Sequence, residues 1–573
     1  MEDAKAPPQP AAASVPQSAG PAPNAFDPLG VSKASFEVWR SMLTHPDSLF
    51  SQQMQLASAW LGVATRAVTP AEQKQPAVIE PARNDSRFKH PAWTQNPMFD
   101  ALKQGYLLAT QAVLESVDRA PDVDDETKQR VKFFAKQFCD AMSPTNFPFL
   151  NPAVIEETIK SGGANLQRGL QNVLEDARDN EGWPALVDKS AFEVGRNVAA
   201  SKGAVIYRNE LIELIQYAPT TATVFERPLV ITPPWINKFY ILDLQPKNSF
   251  IKFATDHGFQ TYVISWRNPG PEQRELGWDD YLELGPLAAC RVASSLTGSP
   301  DVNLIGYCIG GTLTSMMLAY LARTGEQLVN AFTLFASMVD FSEAGEIKNF
   351  LSPQALAYIE EKMRERGVLE ASEMAGTFNM LRANDLIWNV AVNRYLLGLD
   401  APAFDLLYWN SDSTRLPAKM HSYYLRNMYV ENNLVKPDAL SFKGVPIDLR
   451  EVHNDTYAVA TIEDHIAPWR SAYKVTQNFG GDVRFRLGHS GHIAGIINSP
   501  SNAKGNFWEA SRNPPTPEEW LAIAQKHPGS WWPQWAEWLA ERSGEQRPAS
   551  EELGSKRFSP LAPAPGTYVA EKA

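Results

Sequence analysis

The hexapeptide Gly306-Tyr307-Cys308-Ile309-Gly310-Gly311 follows directly on the apolar run Val302-Asn303-Leu304-Ile305. It has the form of a strand-turn-helix elbow, in which glycines two before and two after the apex let strand and helix backbones approach without a Cβ between them. The apex residue then stands above a sheet at a helix N-terminus. Here it is Cys308, where a hydrolase would carry serine. The free N–H groups and dipole at that helix end favour a thiolate. A thiolate exchanges acyl groups readily with other thioesters, so the cysteine points to a thioester donor and to an acceptor that need not be water.

A chain of 573 residues with 44% apolar side chains exceeds one typical core and implies two or more domains. The net charge of -12 excludes a nucleic-acid partner, because no basic block replaces counterions on phosphates. Cys139, Cys290 and Cys308 form no CxxC or CxxH spacing, which gives neither a disulfide framework nor a zinc site, and no metal is expected. A reducing cytoplasm fits that usage. The N-terminus lacks the charged and apolar blocks of a secretion signal, and no run of about 18 apolar residues marks a transmembrane segment.

Residues 1–28 are rich in Ala and Pro without periodicity and read as a disordered tail. Over 29–200 the pattern is helical, with Phe36, Trp39, Leu43, then Met54, Leu56, Trp60, Leu61, then Phe99, Leu102, Tyr106 at intervals of mostly three and four; the proline-containing stretch 70–91 reads as a linker inside it. At about Lys202 the texture becomes β-rich. Gly203–Tyr207 and Leu211–Ile215 open an α/β core; Pro228–Thr232, Gln260–Trp266, Val302–Ile305 and Ala331–Phe335 read as successive buried strands of a parallel sheet. The expected core is 201–340 and 436–545, with strand texture resuming at Val445–Leu449, Val483–Leu487 as its last strand and a Trp-rich stretch (Trp531, Trp532, Trp535, Trp538) read as packing. Residues 341–435 read as a cap over the C-terminal edge of the strands, where ligands of open α/β folds bind, and 546–573 as a flexible tail. The fold class is α/β: an α/β-hydrolase fold with an inserted cap, preceded by an all-helical domain.

In α/β-hydrolases the triad runs nucleophile, acid, histidine along the chain. After Cys308, the acid candidate is Asp464 in Glu463-Asp464-His465-Ile466, and the histidine candidate is His492 in Gly491-His492-Ile493, just past a strand. His465 and His489 lie beside these and are rival bases; Cys139 and Cys290 read as small hydrophobes. Acyl transfer also needs donors for the oxyanion. One candidate is the N–H of Ile309; the other is the N–H of Ile236 in Thr232-Pro233-Pro234-Trp235-Ile236-Asn237, since the two prolines have none. Tyr408, Trp409, Trp388 and Phe404 of the cap are candidates for a dry roof over the site.

In these motifs the chain resembles the polyhydroxyalkanoate synthases, polymerases of (R)-3-hydroxyacyl groups in bacterial storage granules. The likeness is carried by Pro233–Leu244, Ser265–Pro269, Gly306–Gly311, Asp405–Thr414, Glu463–Trp469 and Gly491–Gly495, in order. The length and helical N-terminal domain resemble the single-subunit, class I type. The resemblance implies an acyltransferase polymerising (R)-3-hydroxyacyl-CoA, 3-hydroxybutyryl-CoA above all, with release of CoA. It gives Cys308 the role of nucleophile, His492 that of its base and Asp464 that of a carboxylate assisting deprotonation of the 3-hydroxyl. It also implies no cofactor, CoA thioester being the substrate, a homodimer formed through the cap, and a cytoplasmic enzyme on the surface of polyester granules bound by the N-terminal domain. Arg382 and His465 are candidate substrate contacts, Arg382 for a CoA phosphate. A thioesterase or depolymerase on the same fold and a non-catalytic granule coat are the rival classes.

Overall fold

The computed structural model of the protein describes residues 27–69, 76–82 and 85–573. The tail expected over 1–28 lies outside the described residues except for its last two, as does part of the stretch 70–91. Eleven strands form one sheet: β1 (Gly203–Arg208), β2 (Ile212–Tyr217), β3 (Leu229–Thr232), β4 (Thr261–Trp266), β5 (Val302–Tyr307), β6 (Val329–Phe335), β7 (Asp455–Thr461), β8 (Val483–Gly488), β9 (Asn506–Glu509), β10 (Gln525–Pro528) and β11 (Ala562–Pro563). Their spatial order is β10-β9-β8-β7-β6-β5-β3-β4-β2-β1-β11. The six strands from β8 to β4 are mutually parallel. They are apolar on both faces because helices cover both: Val230, Ile264 and Leu304 enter one core, and Leu229, Ile231, Val263 and Ile305 the other.

Antiparallel strands close both edges of this parallel centre. Val445–Leu449 is not the returning strand. Val445–Pro446 pairs only with Ser441–Phe442 in a hairpin off the sheet, since Pro446 has no N–H for a central ladder, and β7 is the return. Nor does the sheet end at Val483–Leu487. β9 and the edge strand β10 follow; β9 buries only Phe507, and the mostly exposed β10 lacks apolar alternation. The stretch 546–573 is not a loose tail either: β11 pairs with β1, Val569 is buried, and buried Glu213 accepts the backbone N–H groups of Thr567 (2.8 Å) and Tyr568 (3.0 Å). The four tryptophans are buried, and helix Trp532–Ala540 carries three of them.

The cap separates β6 from β7 and is helical, with helices Pro353–Arg366, Ala371–Leu381 and Ala418–Tyr424 running on through Leu425–Val430. Ahead of the sheet lie α1 (Val31–Thr44), α2 (Pro46–Val68), α3 (Pro97–Asp118), α4 (Asp125–Ala141), α5 (Pro152–Ser161) and α6 (Ala164–Asp179). Asn96, Asp124 and Asn151 cap α3, α4 and α5 by accepting first-turn N–H groups, with proline at the first position of α3 and α5. The helical periodicity is present; Phe99, Leu102 and Tyr106 pack together, but the apolar stripe of the first two helices is turned outward. Phe36, Trp39, Leu43, Met54, Trp60 and Leu61 are exposed, while α1 buries Ala34, Val38 and Ser41.

Candidate functional site

Cys308 sits between β5 and the helix α7 (Ile309–Thr324) at φ 53°, ψ -126°, a conformation a residue with a Cβ rarely adopts. What holds the strain is the packing around it. A Cβ on Gly310 would lie 2.4 Å from the Thr232 carbonyl oxygen, and one on Gly306 would lie 2.5 Å from the Gly311 Cα. The loop after β3 is thereby pressed against the first turn of α7. The Cys308 N–H donates to the Phe335 carbonyl at 2.8 Å, which fixes the turn to β6.

Asp464 follows β7 and His492 follows β8, so adjacent parallel strands deliver both to the same edge of the sheet as Cys308. The His492 Nδ1 donates to Asp464 Oδ2 at 2.7 Å, and Asp464 Oδ1 accepts the N–H groups of Ile466 (2.9 Å) and Ala467 (2.8 Å). The imidazole also lies within electrostatic reach of Cys308. Burial disfavours the imidazolium, yet the charges of Asp464 and Cys308 prevail and hold His492 well above its ordinary value. The three candidates are brought together. Asp464, with its side chain wholly enclosed and its oxygens engaged by His492 and its own loop, stands behind the imidazole.

Indoles hold the histidine loop from below: Trp531 donates to Gly495 O at 3.1 Å and Trp532 to Ile496 O at 2.9 Å. Reading the tryptophans as packing misses this role, which no local pattern encodes. His465 is half-buried, and burial pushes it down to about 4 despite Asp464 nearby, so it is neutral at neutral pH. Its neighbours include Arg382, which bonds Asp385 at 3.0 Å and whose Nη1 would lie 4.0 Å from a Cβ on Gly491. His489 is engaged elsewhere, accepting the Asn506 N–H of β9 at Nδ1 (3.4 Å). Cys139 and Cys290 are buried, and burial raises both thiols. Cys308 is half-exposed.

Ile309 opens α7, and Ile236 lies on the loop leaving β3, whose Thr232 is paired in register with Gly306. The cap meets the site through residues other than those expected. Phe404 is exposed, Tyr408 leans on Phe192, and Trp409 turns away to donate its indole N–H to Lys238 O at 2.6 Å. Tyr424 and Tyr429 are buried on the inward face of the cap, and their phenols, raised chiefly by burial, also feel the charge of Cys308. Phe341 meets Tyr429 at 5.0 Å and Trp278 stacks on Tyr424 at 5.5 Å. The buried sequence pattern Met420, His421, Tyr424, Leu425, Met428, Tyr429 carried the signal for this inward helix face.

Among the described residues no group of three or more His, Cys, Asp and Glu is arranged to hold a metal ion, and no helix is long and apolar enough to cross a membrane. A family profile described as the poly-beta-hydroxybutyrate polymerase (PhaC) N-terminus matches residues 84–254, and one described as the alpha/beta hydrolase fold matches 229–499. A poly(3-hydroxyalkanoate) polymerase of Methylorubrum extorquens is 44% identical over 544 residues, covering 94% of this chain and 89% of that protein. A poly(3-hydroxyalkanoate) polymerase subunit PhaC of Cupriavidus necator is 41% identical over 495 residues, covering 86% of this chain and 84% of that protein.

Proposed function

The chain belongs to the poly(3-hydroxyalkanoate) polymerase family, and on that premise we propose that it is a single-subunit, class I enzyme that polymerises (R)-3-hydroxybutyryl-CoA through a Cys308 acyl-enzyme. The observation that carries this reading is His492, bonded to Asp464 at 2.7 Å and within electrostatic reach of a cysteine held at a strained elbow. His492 takes the thiol proton, and the Cys308 thiolate adds to the thioester carbonyl. The oxyanion meets the N–H groups of Ile309 and Ile236. The C–S bond to CoA then breaks, and CoA leaves with the proton from His492. This exchange of one thioester for another is nearly thermoneutral.

Elongation attacks a thioester with the 3-hydroxyl of a further acyl group. His492 accepts that proton, and Asp464 assists through the imidazole it orients. The product is an oxygen ester, which lies below a thioester, so chain growth drives the cycle. The Tyr424, Tyr429 and Phe341 roof supports the reading by keeping water from the acyl-enzyme. Arg382, whose Nη1 lies near Gly491, and its neighbour His465 would receive the CoA portion, with Arg382 meeting a phosphate. The outward apolar side chains of the N-terminal helices support docking on the polyester granule in the cytoplasm, and association of two copies through the cap completes the proposal.

Incubating the full chain with (R)-3-hydroxybutyryl-CoA while following free thiol and insoluble product tests it. CoA release accompanied by polymer supports the reading; CoA release with only free hydroxyacid identifies a thioesterase, and no CoA release leaves a coat protein.

A further inference from the structure

Two of the stretches that carry the family likeness, Pro233–Leu244 and Asp405–Thr414, have no part in the acyl transfer beyond the Ile236 N–H. In the structure they form one hydrogen-bonded frame. Thr414 is 1% exposed; its Oγ1 donates to the Trp235 carbonyl and its N–H donates to the Ile236 carbonyl at 3.1 Å. Asn237 Nδ2 reaches back to Ser413 Oγ at 3.3 Å, and Tyr240 donates its hydroxyl to Asp412 at 2.8 Å. From the opposite side the Trp266 indole holds the Pro233 carbonyl at 2.9 Å.

The Trp235 carbonyl and the Ile236 N–H are the two ends of a single peptide unit. That unit is planar, and when trans its C=O and N–H point in opposite directions. A donor fixed on the carbonyl therefore sets where the N–H points. Hydrogen bonds in series also polarise one another, so the same contact makes the N–H a stronger donor. An oxyanion donor acts only within about 2.7–3.1 Å of the developing charge, so a swing of this plane forfeits it.

We infer that Thr414 is the positioning residue of the oxyanion hole: by donating to the Trp235 carbonyl it aims the Ile236 N–H at the thioester. The inference rests on the proposed role of the Ile236 N–H in acyl transfer from CoA. It makes the cap a working part of the site. Activation of a thioester requires the Asp405–Thr414 stretch to be docked, so an open, wet site is an inactive one.

The test compares Thr414→Val, which keeps the shape and loses the donor, with Thr414→Ser, which keeps the donor, in the full chain. CoA release from (R)-3-hydroxybutyryl-CoA is measured beside alkylation of Cys308 by iodoacetamide, a displacement at saturated carbon that forms no oxyanion. Thr414→Val is expected to lower kcat about 10- to 100-fold with KM within about threefold and the alkylation rate within about twofold. Thr414→Ser is expected to keep kcat within about threefold of the parent. Turnover of Thr414→Val near the parent's, alkylation slowed as much as turnover, or Thr414→Ser impaired well beyond threefold would each overturn the inference; the serine arm keeps it open to refutation if the valine chain does not fold. Should the parent, fully alkylated at Cys308, still release CoA, the acyl-enzyme reading itself fails, and the inference with it.

Discussion

The sheet buries its largest aromatic side chains, whereas the helical N-terminal region, beside small apolar clusters around Trp93 and Val131, buries charged and amide side chains and leaves large apolar ones exposed. Around the sheet, Trp278, Trp520, Trp531, Trp532, Trp535, Tyr262 and Tyr307 are essentially inaccessible. In the helical region Asp100, Lys103, Gln104, Asp140, Asn165 and Asp176 are buried, while Trp39 is 55%, Leu61 69%, Phe138 69% and Phe149 84% exposed. The first arrangement fixes geometry by close packing. The second is fastened to its neighbours by polar contacts: Arg394 Nε bonds Asp176 at 2.6 Å, Asn165 Nδ2 donates to Leu396 O at 2.8 Å, and a Cβ on Gly169 would lie 1.8 Å from Tyr395 O. Its large apolar groups are left for something outside the chain, as large exposed apolar side chains commonly signal.

Substitutions at the elbow should break the catalytic half outright. Cys308→Ala is expected to abolish CoA release while leaving the melting temperature close to the parent's, because the residue is half-exposed and only borders the core, so the loss of one sulfur leaves no enclosed cavity; measurable polymerisation by the alanine chain would end the proposal. Cys308→Ser should also be crippled, since an alkoxide needs a stronger base and its ester is a poorer acyl donor. Asp464→Asn comes next, with kcat lower by about 10²- to 10⁴-fold. It also carries a pH signature. His492 is held above its ordinary value, so the stability it adds is complete below about 6.5 and lost as pH rises through the raised folded value. Removing the Asp464 charge brings that value down, and the alkaline limbs of stability and of kcat should both move to lower pH. Unmoved limbs would show that Asp464 does not govern the imidazole.

The catalytic half was also the more legible in the sequence. Gly306, Gly310 and the apolar run before them spell the elbow because steric exclusion allows few residues there, and the order of Cys308, Asp464 and His492 follows from strand order. The N-terminal half was legible only in its period. A helical repeat states which residues share a face, but it does not state which face the neighbours cover, and Phe36, Trp39 and Leu43 share the exposed one. Contacts made between distant segments, such as Thr414 on Trp235 O or Trp531 on Gly495 O, leave no local trace at all. The late antiparallel strands fail for a related reason: the backbone of β9 and β10 pairs whatever the side chains are.

The polar fastening of the helical region can be attacked separately. Arg394 and Asp176 are 11% and 4% exposed, so Arg394→Ala leaves an enclosed carboxylate without its cation, held only by the Tyr395 hydroxyl and the Ala185 N–H, at a cost of about 3 kcal/mol. In thermal scans the helical region should then come away from the cap before the sheet unfolds, giving two transitions where the parent shows one, and limited proteolysis should cut first within α6. A single unshifted transition would mean that the contact contributes little and that the two halves are joined by something else.

The smallest structural effect should come from the apolar side chains that look most costly to remove. Trp39→Ser with Phe149→Ser is expected to change stability by no more than about 0.5 kcal/mol per site, because neither side chain loses much burial on replacement. Initial CoA release in solution should likewise be unchanged, since neither residue approaches Cys308 in the fold. What should fall is the fraction of protein that sediments with polyester particles, because each replacement withdraws apolar area from a surface whose attraction to such a phase scales with that area. If partition stays the same while stability drops by several kcal/mol, those side chains are core after all, and the contrast between the two halves of the molecule does not stand.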